Sequence, residues 1–409
     1  MSRLAYLFER FPSFTQTFCY REVAELQRQR VVPALFSIRR PAGELPQPWD
    51  QGIVKEVQYL PADEVVVREV DRALQKRRLP AEVAKEIETW GRKTDFLRLY
   101  QAAWLGPRLK ALGVEHLHVH FAGMAARTAW WIRRFFAIGF SFTAHANDIF
   151  APKAFEISLA ELVRNARAVV TVSHFGVRFL RDKFPDAADK IVCVYNGIDL
   201  GGFRETDFSA APPKILSVGR LIEKKGFSDL IESCRLLRDR GLAFHCEIIG
   251  EGPLEEQLRS QIERAGLMTT LSLAGPRPQE EVVSELARST VFALPSVTEQ
   301  GGGMDNLPTV VMEAMAAGLP VVSTAIGGIP EMVVANRTGF LVPERNPVAL
   351  ADALAGLLED HALVVSMGKE GRARAAELFT IQKNVADLRG LFHRLASEVP
   401  LPWGKHFGT

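Results

Sequence analysis

The chain has 409 residues, 47% of them hydrophobic and 24% charged, with a formal net charge of +2. That length favours two domains over one, and the composition is that of a folded soluble protein. Its four cysteines (Cys19, Cys193, Cys234 and Cys246) form no Cys-x-x-Cys pair, so neither a zinc site nor a disulfide frame is indicated and a reducing compartment is expected.

The opening Met1-Ser2-Arg3-Leu4-Ala5-Tyr6 lacks a long apolar signal region, and no apolar run approaches the roughly 18 residues of a membrane span. A cytoplasmic location is the expectation. Charge is uneven along the chain. Residues 1–205 hold 30 Lys and Arg against 23 Asp and Glu, which leaves 20 against 25 for the rest. A basic first half suits an acidic partner, such as anionic lipid or a phosphate-bearing substrate, and equally a solvated surface. No low-complexity tract or short-period repeat interrupts the chain.

Arg3 to Phe8 is a short apolar run that predicts a buried strand. The loop Glu9 to Phe18 follows, and then Phe18, Val23 and Leu26 share one helix face. Val31 to Ile38 predicts a second strand. Residues 40–60 are Pro-rich and give no clear pattern, while 62–112 reads as charged helix, with Arg72, Lys76, Arg77 and Arg78 close together. Those cations are a solvated face or, in the sharper reading, a surface for membrane or acceptor.

His116, His118 and His120 alternate on one face of the next strand. Three histidines invite a zinc reading, but no carboxylate partner stands out in the sequence, and no metal is expected. Arg127 to Phe136 mixes aromatics with arginines. Most of those aromatics belong in a core, and an exposed remainder would form a membrane-interface patch. Ser141 to Ala144 is a strand running into a polar loop at His145, and that edge of an open α/β sheet faces a ligand crevice. Ala168 to Val172 is a strand with Ser173 as a helix cap, and Ile191 to Tyr195 is another. Gly201, Gly202, Pro212 and Pro213 break the pattern and place a domain boundary at 200–212.

Lys214 to Val218 opens the second half as a strand, followed by Gly219-Arg220-Leu221-Ile222-Glu223-Lys224-Lys225-Gly226. Arg220 and Lys225 fall at that strand's carboxyl end, where two cations suit a diphosphate. The phosphate loop of ATPases is absent. Strands are predicted at 244–249, ending in Gly250-Glu251-Gly252-Pro253, and at 271–274, before Gly275-Pro276-Arg277. Others follow at 291–294, 320–324 and 339–342. This βαβα alternation predicts a parallel sheet covered on both faces.

Asp305-Asn306-Leu307-Pro308-Thr309 leads into Val310 to Gly318. Pro308 suits the first turn of a helix over 309–317, with Asn306 or Leu307 near its cap. Asp305 then precedes the helix and Glu313 lies inside it. A helix N-terminus offers free N–H groups and a positive dipole end to an anion, and Glu313 can accept from both hydroxyls of a ribose. The bland reading makes Glu313 an acid on a solvated face.

Asp305 and Glu313 are separated by seven residues and run into Glu-Ala-Met-Ala-x-Gly. Pro295-Ser296 precedes them, and Pro320 to Thr324 and Gly327-Gly328-Ile329-Pro330-Glu331 follow. The stretch resembles the signature of the retaining glycosyltransferases of family 4. Two departures stand out: the first acid is Asp305 where the family has Glu, and Gln300-Gly301-Gly302-Gly303-Met304 is a longer insertion than usual. Asp is about 1.5 Å shorter in reach, which a backbone shift in that insertion could compensate. The first loop lacks the paired glycines of many family members, and its Phe-Pro and Thr-Phe pattern looks like a subgroup tied to bacterial exopolysaccharide assembly.

The resemblance implies an α/β protein of GT-B fold, two Rossmann-like domains across a cleft. Their expected extents are 1–205 on the acceptor side and 206–380 on the nucleotide-sugar side, with a closing helix in 381–409 packed back on the first domain. It implies transfer of a sugar, with retention, from a nucleotide-sugar to a hydroxyl of a saccharide or lipid-linked acceptor in cell-surface polysaccharide synthesis. No cofactor, metal or nucleic acid is implied. Peripheral association with the inner membrane face is a further expectation. Asp305, His145, Arg220 and Lys225 would act in catalysis, His145 on the donor sugar and the two cations on the diphosphate. Glu313, Asn306, Leu307, Pro308, Thr309, Gly219, Gly250, Gly252, Arg277 and Thr15 would contact substrate. A nucleotide-sugar epimerase of related fold, and a sugar-nucleotide-binding protein without catalysis, are the alternatives.

Overall fold

The computed structural model describes residues 3–43, 47–91, 93–206, 208 and 212–397. Residues 398–409 of the expected closing segment, and 207 and 209–211 of the expected boundary, lie outside the described residues.

Two parallel sheets organise the chain. The first holds β1 (Arg3–Arg10), β2 (Ala34–Arg39), β3 (Gln58–Tyr59), β4 (Val114–His120), β5 (Gly139–Ala144), β6 (Ala168–Thr171) and β7 (Ile191–Cys193). Their order is β3-β2-β1-β4-β5-β6-β7. The second holds β8 (Lys214–Val218), β9 (His245–Ile249), β10 (Leu271–Leu273), β11 (Val291–Leu294), β12 (Val321–Thr324) and β13 (Gly339–Val342), ordered β10-β9-β8-β11-β12-β13. Both orders reverse beside the opening strand, between β1 and β4 and between β8 and β11. That reversal is the doubly wound pattern, and it opens a crevice at the carboxyl edge of each sheet.

Most strand positions are buried on both faces because helices cover both. Six helices position the site: α1 (Thr17–Arg28), α2 (Phe96–Ala111), α3 (Met124–Phe136), α4 (Ala146–Phe150), α5 (His174–Lys183) and α6 (Thr309–Ala316). The aromatics of α3 turn inward. Trp130, Trp131 and Phe135 are buried and Phe136 is half-buried, so this helix leaves no exposed aromatic patch for a membrane interface. Arg127, buried on the same helix, bonds to Asp95.

The Pro-rich stretch conceals a short helix, Gln51–Glu56, and the two-residue strand β3. Asp50 caps that helix by accepting from the Gly52 N–H at 2.7 Å, a local signal that the prolines around it obscure.

The chain passes between the domains twice, and the two passages lie side by side. The Ile198 N–H donates to Phe379 O at 2.8 Å, and the Ile381 N–H returns to Ile198 O at 2.9 Å. The last helix, α7 (Ile381–Ser397), then packs on the first sheet. Leu388, Leu391 and Leu395 cover Ala168, Val170 and Val194, and the Phe392 ring meets Tyr6, His116 and His118. Among the described residues, no helix is long and apolar enough to cross a membrane.

Candidate active site

The carboxyl edges of the two sheets face each other, and most of the expected site residues meet there. On the second domain, β11 ends at Leu294 and the chain turns through Pro295-Ser296. After the glycine-rich insertion it reaches Asp305, which is 6% exposed. Lys225 Nζ lies 2.6 Å from Asp305 Oδ2, Lys224 Nζ lies 3.7 Å from Oδ1, and the Ser296 hydroxyl donates to Oδ2 at 3.0 Å. Burial pushes the Asp305 carboxyl up, but Lys225 and Lys224 outweigh it and hold it below its usual value. Lys224 also donates to Asn147 Oδ1 of the first domain, at 2.9 Å, so the cluster spans the cleft.

Two lysines and one carboxylate leave a net charge of +1. Arg220 is exposed beside them and has no ion-pair partner among the described residues; its field depresses Lys224 further, after burial and Lys225. Gly219 has no Cβ at the point where Lys225 crosses: an added Cβ would sit 3.4 Å from the lysine Cδ and Cε. The Gly250 backbone, at φ +150°, packs so closely on this loop that an added Cβ would fall 1.9 Å from Gly219 O. Gly252 likewise lies against Leu221 O, at 2.5 Å for an added Cβ. These two glycines therefore shape the Arg220 loop through backbone packing.

The insertion forms a tight turn in which the Gly302 N–H donates to Glu299 O and the Glu299 N–H to Gly303 O. Met304 leaves it to pack in the core of the first domain. Asp305 is thus anchored inward on lysines rather than reaching across the cleft.

Helix α6 begins at Thr309 with Pro308 at its N-cap, one residue outside the expected first turn, and ends at Ala316. Asn306, Leu307 and Pro308 are buried. The Asn306 side chain bonds to Ser173 and, at 3.4 Å, to Thr171 of the first domain, while its carbonyl accepts from the Gly328 N–H at 2.7 Å. Glu331 completes this brace. It accepts from the His174 and Phe175 N–H groups at 2.8 and 2.6 Å and from the Tyr195 hydroxyl at 2.9 Å. A carboxylate from the second domain thereby caps the first turn of α5 in the first, where the helix dipole favours it. Ser173 caps the same helix by accepting from the Gly176 N–H, as its sequence position predicts.

Glu313 is buried at 3% exposure, not on a solvated face, and pairs with Arg21 of α1 across the cleft at 2.6 Å. The other terminal nitrogen of Arg21, Nη1, is buried and has no hydrogen-bond partner among the described residues.

His145 follows β5 directly. Its N–H donates to Asp148 Oδ2 at 2.9 Å, and its ring Nε2 lies 3.2 Å from His120 Nδ1. Burial, and then the charge on His120, hold His145 well below the ordinary imidazole value. Burial raises Asp148 to about 6 in spite of the N–H groups that it accepts. The carboxylate partner that the histidine strand lacks in the sequence is Glu22, on α1: its Oε1 lies 3.3 Å from His120 Nε2 and accepts from the Tyr6 hydroxyl at 2.6 Å.

Two expected residues stand apart. Arg277 pairs with Glu247 at 3.5 Å and Glu281 at 3.1 Å, away from the lysine cluster. Thr15 is exposed in the first loop, its hydroxyl 3.5 Å from Ser13 Oγ. Sequence reasoning missed Lys224, Asn147, Arg21, Glu22, His120 and Glu331 as members of the site or its brace. A cavity of about 800 Å³ lies elsewhere, at the amino edge of the first sheet beneath α7, lined by Leu4, Val31, Leu35, Val114 and Phe392. No expected site residue borders it.

Family models match both halves of the chain: Glycosyltransferase Family 4 over residues 57–201 and Glycosyl transferases group 1 over 203–374. Together they cover more than three quarters of it. The chain belongs to the family-4 glycosyltransferases. Within that family it is 40% identical over 210 residues to the provisionally assigned colanic acid biosynthesis glycosyltransferase WcaL of Escherichia coli (strain K12), covering 51% of this chain and 52% of the relative. It is also 40% identical over 211 residues to the amylovoran biosynthesis glycosyltransferase AmsK of Erwinia amylovora, with the same shares covered. The chain thus matches about half the length of these curated relatives. HepE from Anabaena, solved with UDP and glucose, superposes with a TM-score of 0.70 over 97% of this family-4 chain and 100% of its own, at 17% identity. At that identity the likeness speaks for the GT-B fold alone.

Proposed function

We propose that this protein is a retaining glycosyltransferase that moves a sugar from a nucleoside-diphosphate sugar to a hydroxyl of a saccharide or lipid-linked saccharide. The single observation that carries this reading is the cleft-spanning cluster in which buried Lys224 and Asp305 and half-buried Lys225 reach Asn147 of the first domain, with Arg220 exposed beside it and without an ion-pair partner among the described residues. It supplies fixed positive charge at the carboxyl edge of a nucleotide-type sheet, where a diphosphate binds.

In this reading, cleavage of the sugar–phosphate bond puts negative charge on the β-phosphate oxygen while the sugar takes on oxocarbenium character. Arg220, Lys225 and the N–H groups at the start of α6 face that charge, already oriented before the reaction. Glu313 exchanges Arg21 for the ribose hydroxyls. His145 meets the sugar from the first domain, so both domains must hold the donor together. Asp305 keeps the lysines in place. No side-chain nucleophile is assigned, and no metal or other cofactor is proposed. Surface-polysaccharide synthesis at the cytoplasmic face of a bacterial membrane is the proposed setting. It is supported by the two relatives named for exopolysaccharides and by the basic first half.

The test is thermal stability against UDP, GDP and ADP and their glucose or mannose conjugates, for wild type and Glu313→Ala. A ligand at about 100 times its dissociation constant adds about 2.7 kcal/mol. A selective shift that the substitution abolishes is the expected result. No shift with any nucleotide would sink the donor-site reading. Slow release of free sugar from the bound donor is expected, and an epimerised donor in its place would refute transfer.

A further inference from the structure

A line of polar side chains runs through the first domain from the sheet's interior to its carboxyl edge, and the reaction as proposed uses only its last member. Tyr6 donates to Glu22, Glu22 lies against His120 Nε2, and His120 Nδ1 lies against His145 Nε2. All four residues are at least nine-tenths buried. The groups facing His120 are Cys19 and Glu22 from α1, Tyr6 from β1, His118 beside it on β4, and His145 from the loop after β5. The rings of Phe8 and Phe18 cover the rest.

A lone buried carboxylate at this depth would be strongly disfavoured, and an imidazolium beside it offsets that cost. Burial works against charge on His120, but Cys19 and Glu22 outweigh it and push the imidazole up to about 10. Burial also raises the Cys19 thiol, and wherever that thiol is neutral the push on His120 comes from Glu22 alone, whose Oε1 lies 3.3 Å from Nε2. His118 is excluded as a competing charge. Its Nδ1 and Nε2 are bonded to Ser141 and Thr143, and burial, then His120, hold it well below its ordinary value.

We propose that Glu22 and His120 are positioning residues for His145: their ion pair aims an imidazolium N–H at His145 Nε2 and fixes that ring neutral, with its own proton on Nδ1. A His120 protonated on both nitrogens donates from Nε2 to Glu22 and from Nδ1 to His145, so His145 Nε2 is an acceptor and its single N–H is at Nδ1. The Asp148 N–H bonds to the His145 carbonyl at 2.9 Å; it also faces the His145 side chain in a capping box, but forms no side-chain hydrogen bond there. His145 is then a hydrogen-bond donor of fixed tautomer across the working pH range, suited to a sugar hydroxyl or a phosphate oxygen, and not a base through Nε2. This rests on the reading that His145 meets the donor sugar, whereas the tautomer itself rests on the hydrogen-bond chain.

Glu22, His118 and His120 also bring ligand atoms within 4.8 Å of one another, a spacing that a metal ion can use. The existing hydrogen bonds favour the ion pair, because a metal on His120 Nε2 would remove the proton shared with Glu22 and one on His118 would break its bond to Ser141 or Thr143.

The experiment is long-range ¹H–¹⁵N correlation of ¹⁵N-histidine in the full chain at pH 8. His120 is expected to carry both protons and His145 a proton on Nδ1. Glu22→Gln should leave His120 neutral, and Glu22→Asp should restore the doubly protonated form. A neutral His120 in the wild type, a proton on His145 Nε2, or a stoichiometric metal in the purified protein would overturn the proposal. With UDP-glucose and GDP-mannose as donor probes, Glu22→Gln should slow donor hydrolysis about tenfold or more while the Kd for UDP or GDP stays unchanged. An equal loss in nucleotide affinity would mark general unfolding and count against positioning. If the tautomer is as expected but His145→Ala hydrolyses donor at the wild-type rate, the sugar-contact reading alone falls.

Discussion

The two sheets share one winding and differ in what they bury. The second is filled with apolar side chains and hydroxyls apart from the Lys214–Glu247 ion pair on β8 and β9, and the charges of its candidate site gather in short loops at the carboxyl edge: Arg220, Lys224 and Lys225 after β8, Asp305 after β11. The first buries charge and imidazole within the sheet layer itself, with His116, His118 and His120 on β4 and Glu22 packed onto them. One domain carries its chemistry on its rim and the other carries it through its core. The rim can be altered without repacking the sheet, whereas the core couples its site to its folding.

That contrast can be broken most sharply at Asp305. Asp305→Asn leaves Lys224 and Lys225 buried without their counter-charge. It should cost about 3–5 kcal/mol, with loss of donor turnover. Denaturant unfolding and a donor-hydrolysis assay measure both, and a stable, active variant would remove Asp305 from the centre of the site. The second effect belongs to the first domain. His116 (lowered to about 3), His118 and His145 are all neutral when folded, each chiefly because of burial. An imidazole depressed in this way contributes stability above its unfolded value of about 6.5 that is lost as pH falls toward its folded value. Asp148, raised to about 6, acts oppositely: its contribution is full below about 3.8 and gone above 6, so it offsets part of the loss. His120, at about 10, is stabilising below 6.5 and loses its contribution as pH rises toward 10.

Five of the six tryptophans, at 49, 90, 104, 130 and 131, belong to the first domain. Tryptophan fluorescence during urea unfolding should therefore show a midpoint that falls between pH 6.5 and 4, and His116→Asn should flatten that fall. A midpoint independent of pH would show that the histidine layer is charged or solvated. Smaller again, Gly250→Ala places a Cβ against Gly219 O. A cost of about 1–3 kcal/mol and weaker nucleotide binding are expected, read by thermal melts with and without UDP. Smallest is Arg164→Ala. Arg164 meets Asp186 at 2.8 Å with both side chains about half exposed, and its loss should change stability by under about 1 kcal/mol.

The same contrast explains what was legible in the sequence. The β8 to β13 strands match their apolar runs to within a residue or two, and the rim motifs could be read because each lies within a few residues of a strand end. Spacing points to Lys225 and not to Lys224, its neighbour, yet spacing alone does not say which of two adjacent lysines turns toward Asp305. Both do. Glu22 was invisible for a different reason. It lies 98 residues from His120 on a helix whose pattern reads as ordinary amphipathic, and only the β1-β4 crossover brings the two together. Arg21 met Glu313 across 292 residues in the same way. Glu331 stands within a recognisable motif, but nothing local tells that it caps a helix in the other domain. The strand β3 was lost among prolines because two residues carry no periodicity.

The closing helix α7 has a consequence for how the protein is made. Its Leu388, Leu391, Leu395 and Phe392 cover a face of the first sheet whose strands were all synthesised before residue 194. A ribosome-bound chain therefore holds that apolar face open throughout synthesis of the second domain. The first domain is born early and sealed late, and in that interval its half-built surface depends on chaperones or on speed.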